Sequence, residues 1–212
     1  MYMSIEVPEI NDYPNGFPNF WINLIFIGSI STNTKVNALA YSYIRLVEAA
    51  LIEYRLGSSK LNEFYNTHGS FNLGAMHRSI AHFESCLSNM HRAINFYRRL
   101  RRNEEQEPLP LMLNNKRAKF ATEAIAKKIR DIRNEIHHLD EHLIKDTWQE
   151  GQWIALRPDG SERPHPTEGG QTIKSIDRLA ISNHEILFSD LANWLKEQAF
   201  VADKIANFQS RS

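Results

Sequence analysis

The stretch LGAMHRSIAHFESCLSNMHRAINFYRRLRR, residues 73–102, decides the fold class. Met76, Ile80, Phe83, Leu87, Met90, Ile94 and Tyr97 alternate steps of four and three, which draws one continuous apolar stripe along a helix. Pro108 and Pro110 then forbid its continuation. Ile125, Ile129, Ile132, Ile136, Leu139 and Leu143 repeat the alternation, so a second long helix is expected over about 115–146. Two long helices joined by a proline-containing loop are expected to pack as an antiparallel hairpin.

Working outward, residues 1–33 form a lead-in, irregular through about residue 18, where Pro8, Pro14, Gly16 and Pro18 fall. The apolar run Phe20–Ile30 reads as a buried strand or the approach to the first helix. Thr32-Asn33-Thr34 offers capping side chains for a helix over about 35–56, which Gly57-Ser58-Ser59 ends, with a short helical piece through Phe64. Residues 147–187 lose the helical period. Gly151–Leu156 reads as a strand entering a turn at Arg157-Pro158-Asp159-Gly160, Pro164–Gly170 as a loop, and Ile176–Ile181 as a returning strand. A last helix starts near Ser189-Asp190 and buries Leu191, Trp194, Val201, Ile205 and Phe208. The expected architecture is a single all-α domain over residues 1–212. It is an antiparallel bundle of four to five helices with a small β-hairpin insertion before the last one.

Composition narrows the chemistry. The 25 Lys plus Arg balance 25 Asp plus Glu, so nucleic-acid binding has to be argued from local clusters. The single Cys86 excludes an internal disulfide and a Cys-rich zinc site, and reads as a small packing residue. The N-terminal residues are acidic and proline-bearing where a signal peptide is basic and then apolar, and no run is long enough to span a bilayer. A cytoplasmic protein with no membrane partner is the expectation.

One run carries chemistry: Arg133-Asn134-Glu135-Ile136-His137-His138. At about 100° per residue, Arg133, His137, Arg130, Asn134 and His138 fall across the flank and polar face of the helix, away from its isoleucine stripe. A solvated charged face is the plain reading. Yet arginine offers a fixed fork for phosphate, histidine exchanges protons near neutral pH, and asparagine orients either. Together they suit metal-free cleavage of RNA, whose 2′-hydroxyl lies beside the scissile phosphate.

These residues resemble the Arg, polar residue, three further residues, His motif of HEPN domains (higher eukaryotes and prokaryotes nucleotide-binding). The similarity spans roughly residues 35–208, with the β insertion as a departure. It includes the close Ile181–Leu187 leading into Asp190–Leu195. The resemblance implies a metal-independent endoribonuclease without a cofactor, of the kind found in toxin–antitoxin and phage-defence systems. It also implies a homodimer whose motif helices face each other across a cleft, with an antitoxin or nucleotidyltransferase as a further partner. Arg133 would neutralise the phosphate, His138 would act as general acid or base, and Asn134 would give polar support. Arg130 and His137 form the alternate pair under the family's looser spacing. Some members of the family have lost catalysis and only bind, so a non-catalytic module binding RNA, nucleotide or protein is the alternative.

Arg98, Arg99, Arg101 and Arg102 close one helix, and Lys116, Arg117 and Lys119 open the next, with Lys127, Lys128 and Arg130 continuing toward the motif. They form a candidate RNA track. The plain reading is that cations gather at a helix C-terminus because the macrodipole favours them there. A metal site at Asp131, Glu135, His138 and His142 is the weakest reading, since the second Glu-x-x-His helix of a di-iron protein is missing. Trp148, Trp153 and the segment Arg157–Gly170 offer a partner surface or, more simply, buried bundle-end residues and a flexible loop.

Overall fold

The computed structural model describes residues 2–11, 17, 20–22, 25, 30–66, 72–102, 108–114, 118–138, 144 and 155–208. In chain order the elements are β1 (Tyr2–Ile5), α1 (Thr34–Asn66), α2 (Leu73–Arg102), α3 (Pro108–Asn114), a 3-10 turn (Lys119–Ala121), α4 (Glu123–His137), β2 (Arg157–Pro164), β3 (Thr172–Ile181), β4 (His184–Leu187) and α5 (Phe188–Ala206). The protein is mostly helical, with a small mixed sheet before its last helix, so the all-α expectation is corrected to a helical fold carrying a four-stranded sheet. Among the described residues no helix is long and apolar enough to cross a membrane.

The expected helix over 73–102 forms as read. Asn72 caps it, its side-chain oxygen accepting the Ala75 N–H at 3.1 Å. Phe83, Leu87, Met90, Ile94 and Tyr97 are all buried, as is Cys86. Asn33 caps α1 in the same way, accepting from the Lys35 and Val36 amides at 3.0 and 3.2 Å.

The expected stop at Gly57-Ser58-Ser59 does not occur, and α1 runs through it to Asn66. Ser58 turns its hydroxyl back to the Tyr54 carbonyl, 2.9 Å away, instead of breaking the helix. Gly57 serves close approach: a Cβ there would lie 3.1 Å from the Phe83 ring, and the Ser79 hydroxyl donates to the Gly57 carbonyl at 2.8 Å.

The motif helix is shorter than the expected 115–146. Thr122 is extended (ψ 155) between the 3-10 turn and α4, so the helix begins only at Glu123. Leu139, Leu143 and His142 lie outside the described residues, as do most of Phe20–Ile30 and Gly151–Ile154. Pro108 and Pro110 open α3, whose first turn has no use for their missing N–H groups.

The lead-in is not wholly irregular. Residues 2–5 form β1, parallel to β3, with Tyr2 opposite Ile173 and Ile5 opposite Ile176. β2 lies antiparallel along the other edge of β3, and β4 pairs with the end of β3 that β1 leaves open. The expected turn at Arg157–Gly160 is therefore a strand. Its turn-like residues mark a bulge between Asp159 and Gly160, and a Cβ at Gly160 would fall 1.5 Å from the Ser175 carbonyl oxygen. Pro158 is tolerated because β2 is an edge strand. The Arg157–Gly170 segment is thus largely a paired strand, and only the link after Pro164 is a loop.

Close contacts group the chain into two compact units. The first comprises Met1–Glu9, Glu53–Ser85 and Arg130–Asn193, and contains the sheet. Its buried side chains include Phe83, Ile132, Ile176, Leu179, Ile186 and Phe188. The second comprises Ile10–Ile52, Cys86–Ile129 and Trp194–Ser212. There Tyr43, Tyr97 and Phe120 cluster with centroids 5.0–6.5 Å apart, and the Tyr43 hydroxyl donates to the Gln198 carbonyl at 3.0 Å. Trp194, Val201 and Phe208, expected in the core, are half-buried. The inward face of α5 is instead Leu191, Leu195, Gln198, Ala202 and Ile205.

Candidate functional site

The motif occupies the last turn of α4, in the first unit. Ile132 is fully buried and anchors that turn. Arg133 and Asn134 are half-buried, while Arg130, His137 and His138 are exposed. The helical hydrogen bond from His138 N–H to the Asn134 carbonyl, 2.8 Å, sets the two residues one above the other at the helix end. The Arg133 guanidinium donates through Nη1 to the Asn134 side-chain oxygen at 3.2 Å, so Arg133, Asn134 and the backbone of His138 form one cluster.

Electrostatics separates the two candidate pairs. Arg130 is drawn to its neighbour Asp131, Nε to Oδ1 3.6 Å. Among the described residues Arg133 has no carboxylate partner. His137 is held below the ordinary histidine value of 6.5 by partial burial first, then by the charges of Arg133 and His138. It is therefore a neutral imidazole beside a permanent cation at neutral pH.

Glu135 faces the sheet instead of the cluster. The Ser182 hydroxyl donates to its Oε2 at 2.9 Å, and Ser182 itself sits in the left-handed region (φ 49) at the turn between β3 and β4. This contact between residues far apart in sequence has no local signal. Its carboxylate is also thereby engaged against the metal reading. His142 lies outside the described residues, and among those described no group of three or more His, Cys, Asp or Glu could hold a metal ion.

The candidate RNA-binding residues divide. Arg98, Arg101 and Arg102 converge on one cavity of the second unit. Arg99 and Lys127 are exposed and do not line it, and Lys119 is exposed with its backbone N–H held by Glu197 at 2.8 Å. Lys116 and Arg117 lie outside the described residues, as do Trp148 and Trp153. His165, read as a loop residue, organises its loop: its Nδ1 accepts the Glu168 and Thr167 amides at 3.0 and 3.3 Å, and Tyr2 packs on its ring at 4.8 Å.

No protein-family model matches the chain, and neither does any curated protein or solved structure. The functional reading therefore rests on the residues themselves.

Proposed function

We propose that the chain is a metal-independent endoribonuclease of the HEPN type. The reading is supported most by one observation: Arg133, Asn134 and His138 gather at an exposed helix end where the arginine meets an amide and, among the described residues, no carboxylate. In this mechanism the 2′-hydroxyl of the substrate attacks the adjacent phosphorus. His138 of one protomer takes the hydroxyl proton, and its counterpart in a homodimer gives a proton to the departing 5′-oxygen. Arg133 neutralises the phosphorane, with Asn134 holding the guanidinium in register. The products are a 2′,3′-cyclic phosphate and a 5′-hydroxyl, with no metal or cofactor in the balance. A toxin–antitoxin or phage-defence setting, with an antitoxin or nucleotidyltransferase partner, accompanies the family reading.

The test is incubation of structured RNA with the protein in EDTA, followed by analysis of the product ends. Wild type is expected to leave cyclic phosphates, and Arg133→Ala and His138→Ala are expected to be inactive while eluting as the same dimer. Equal cleavage by all three proteins would remove these residues from the mechanism. A wild type without cleavage or RNA-end chemistry would remove the enzyme.

A further inference from the structure

Arg98, Arg101 and Arg102 line a cavity of about 460 Å3 together with Asn114, Thr122 and Glu123. Among the described residues of the lining, three arginines outnumber one glutamate. Two of the guanidinium groups are already fixed. Arg98 donates through Nε and Nη2 to the Ala121 carbonyl at 3.2 and 2.9 Å, and its Nη2 pairs with Glu123 at 3.1 Å. Arg101 donates through Nε to the Asn114 side-chain oxygen at 3.1 Å, and the Asn114 amide donates back to the Arg101 carbonyl at 3.1 Å. The Arg101 guanidinium also lies 5.7 Å from the centre of the Tyr97 ring. Arg102 is exposed and has no hydrogen-bond or ion-pair partner among the described residues.

The helix macrodipole accounts for cations at the end of α2. It does not account for an amide on another helix clamping one of them, or for a carbonyl of the 3-10 turn orienting another. Side chains held from several elements around a concavity have lost their rotamer freedom in advance, which is the cost that weakens ordinary surface arginines as ligands. Guanidinium forks match phosphate oxygens. An excess of guanidinium groups among the described lining residues suits a dianion better than the single charge of a diester.

We propose that this cavity binds a terminal phosphate, the dianionic phosphomonoester of a nucleotide or of a 5′-phosphorylated strand. Arg98 and Arg101 form the fixed wall, and Arg102 folds in to close on the group. The proposal is independent of catalysis at His138.

Calorimetric titration of the full chain at low salt with adenosine 5′-monophosphate and with adenosine tests it. The monophosphate is expected to bind and the nucleoside not. Arg102→Gln, at a side chain with no hydrogen-bond or ion-pair partner among the described residues, is expected to weaken the monophosphate roughly tenfold or more, the loss of one charge-assisted contact. Asn114→Ala, which unclamps Arg101, is expected to weaken it as well, with thermal melting to confirm the fold. A pair of 2′-deoxyoligonucleotides, with and without a 5′-phosphate, distinguishes an end from a backbone phosphate. Preference for the phosphorylated strand, erased by Arg102→Gln, supports the proposal. Absence of monophosphate binding, unchanged affinity in Arg102→Gln, or equal binding of the two strands overturns it.

Discussion

Replacing Gly57 by alanine sets two effects of known size against each other. Within a helix, Gly→Ala gains about 1 kcal/mol from propensity alone. Here the new Cβ would stand 3.1 Å from the Phe83 ring, a few tenths of an ångström inside ordinary contact. The ring has little room to yield. Phe83 is fully buried, with the Tyr54 ring edge-on at 6.0 Å and the Phe188 ring at 5.2 Å between centroids. Overpacking of this kind costs about 1–3 kcal/mol, so the net expectation for Gly57→Ala is destabilisation by about 1 kcal/mol. Phe83→Leu removes the ring and with it the clash, and in that background the same substitution should stabilise by up to about 1 kcal/mol. The coupling between the sites is then about 2 kcal/mol, well above the few tenths that separate additive from interacting positions. Urea unfolding of the four proteins, followed by circular dichroism, measures it directly. Equal effects of Gly57→Ala in both backgrounds would refute the close approach and return Gly57 to the role of a mere weak point in α1.

Three further expectations follow from charges and caps. The His137 imidazole should titrate below 6.5 by NMR, because partial burial and then the charges of Arg133 and His138 oppose its protonation, and Arg133→Gln should raise the midpoint. The unfolded chain takes that proton more readily, so this site makes the fold less stable as pH falls through 6.5 and below. An unmoved midpoint in Arg133→Gln would contradict the geometry. Burial pushes the Asp159 carboxyl up, but the Lys174 ammonium, the Gly160 N–H and Arg157 outweigh it and leave the group below its ordinary 3.8. Its contribution is complete above 3.8 and disappears as pH falls through the lower folded value, so Asp159→Asn should flatten the acid end of the stability–pH curve. Finally, Glu197→Ala deprives the Lys119 and Phe120 amides of their shared acceptor, 2.8 Å from each. A loss of about 1–2 kcal/mol is expected, with faster hydrogen exchange at those two amides, and unchanged exchange would show that the 3-10 turn holds itself.

The parts of this fold that sequence made legible are those whose signals are local. Residues 73–102 carry an apolar stripe and a basic last turn, and both agree on α2. Gly57-Ser58-Ser59 misled because a glycine reads alike whether it ends a helix or admits a neighbouring ring, and only the position of Phe83 decides between them. Arg157-Pro158-Asp159-Gly160 misled in the same way, its glycine serving a bulge against Ser175. β1 was invisible because it pairs with residues more than 160 positions away, a register that no short window contains. The cluster of Arg133, Asn134 and His138 was legible because helical spacing fixes it. The clamp of Asn114 on Arg101 was not, since it depends on how α3 returns after its prolines.

The hydrogen bond from Ser182 to Glu135 gives the sheet a part in the motif that its position in the chain would not suggest. A helix end frays because its last carbonyls lack partners, and His137 and His138 lie at that end of α4. A strained turn between two paired strands, fixed at φ 49, grips the side chain adjacent to Asn134 and so acts as a splint on the terminal turn. The β segment is therefore not an ornament on a helical protein. Shortening the β3–β4 hairpin would loosen the turn that carries His137 and His138.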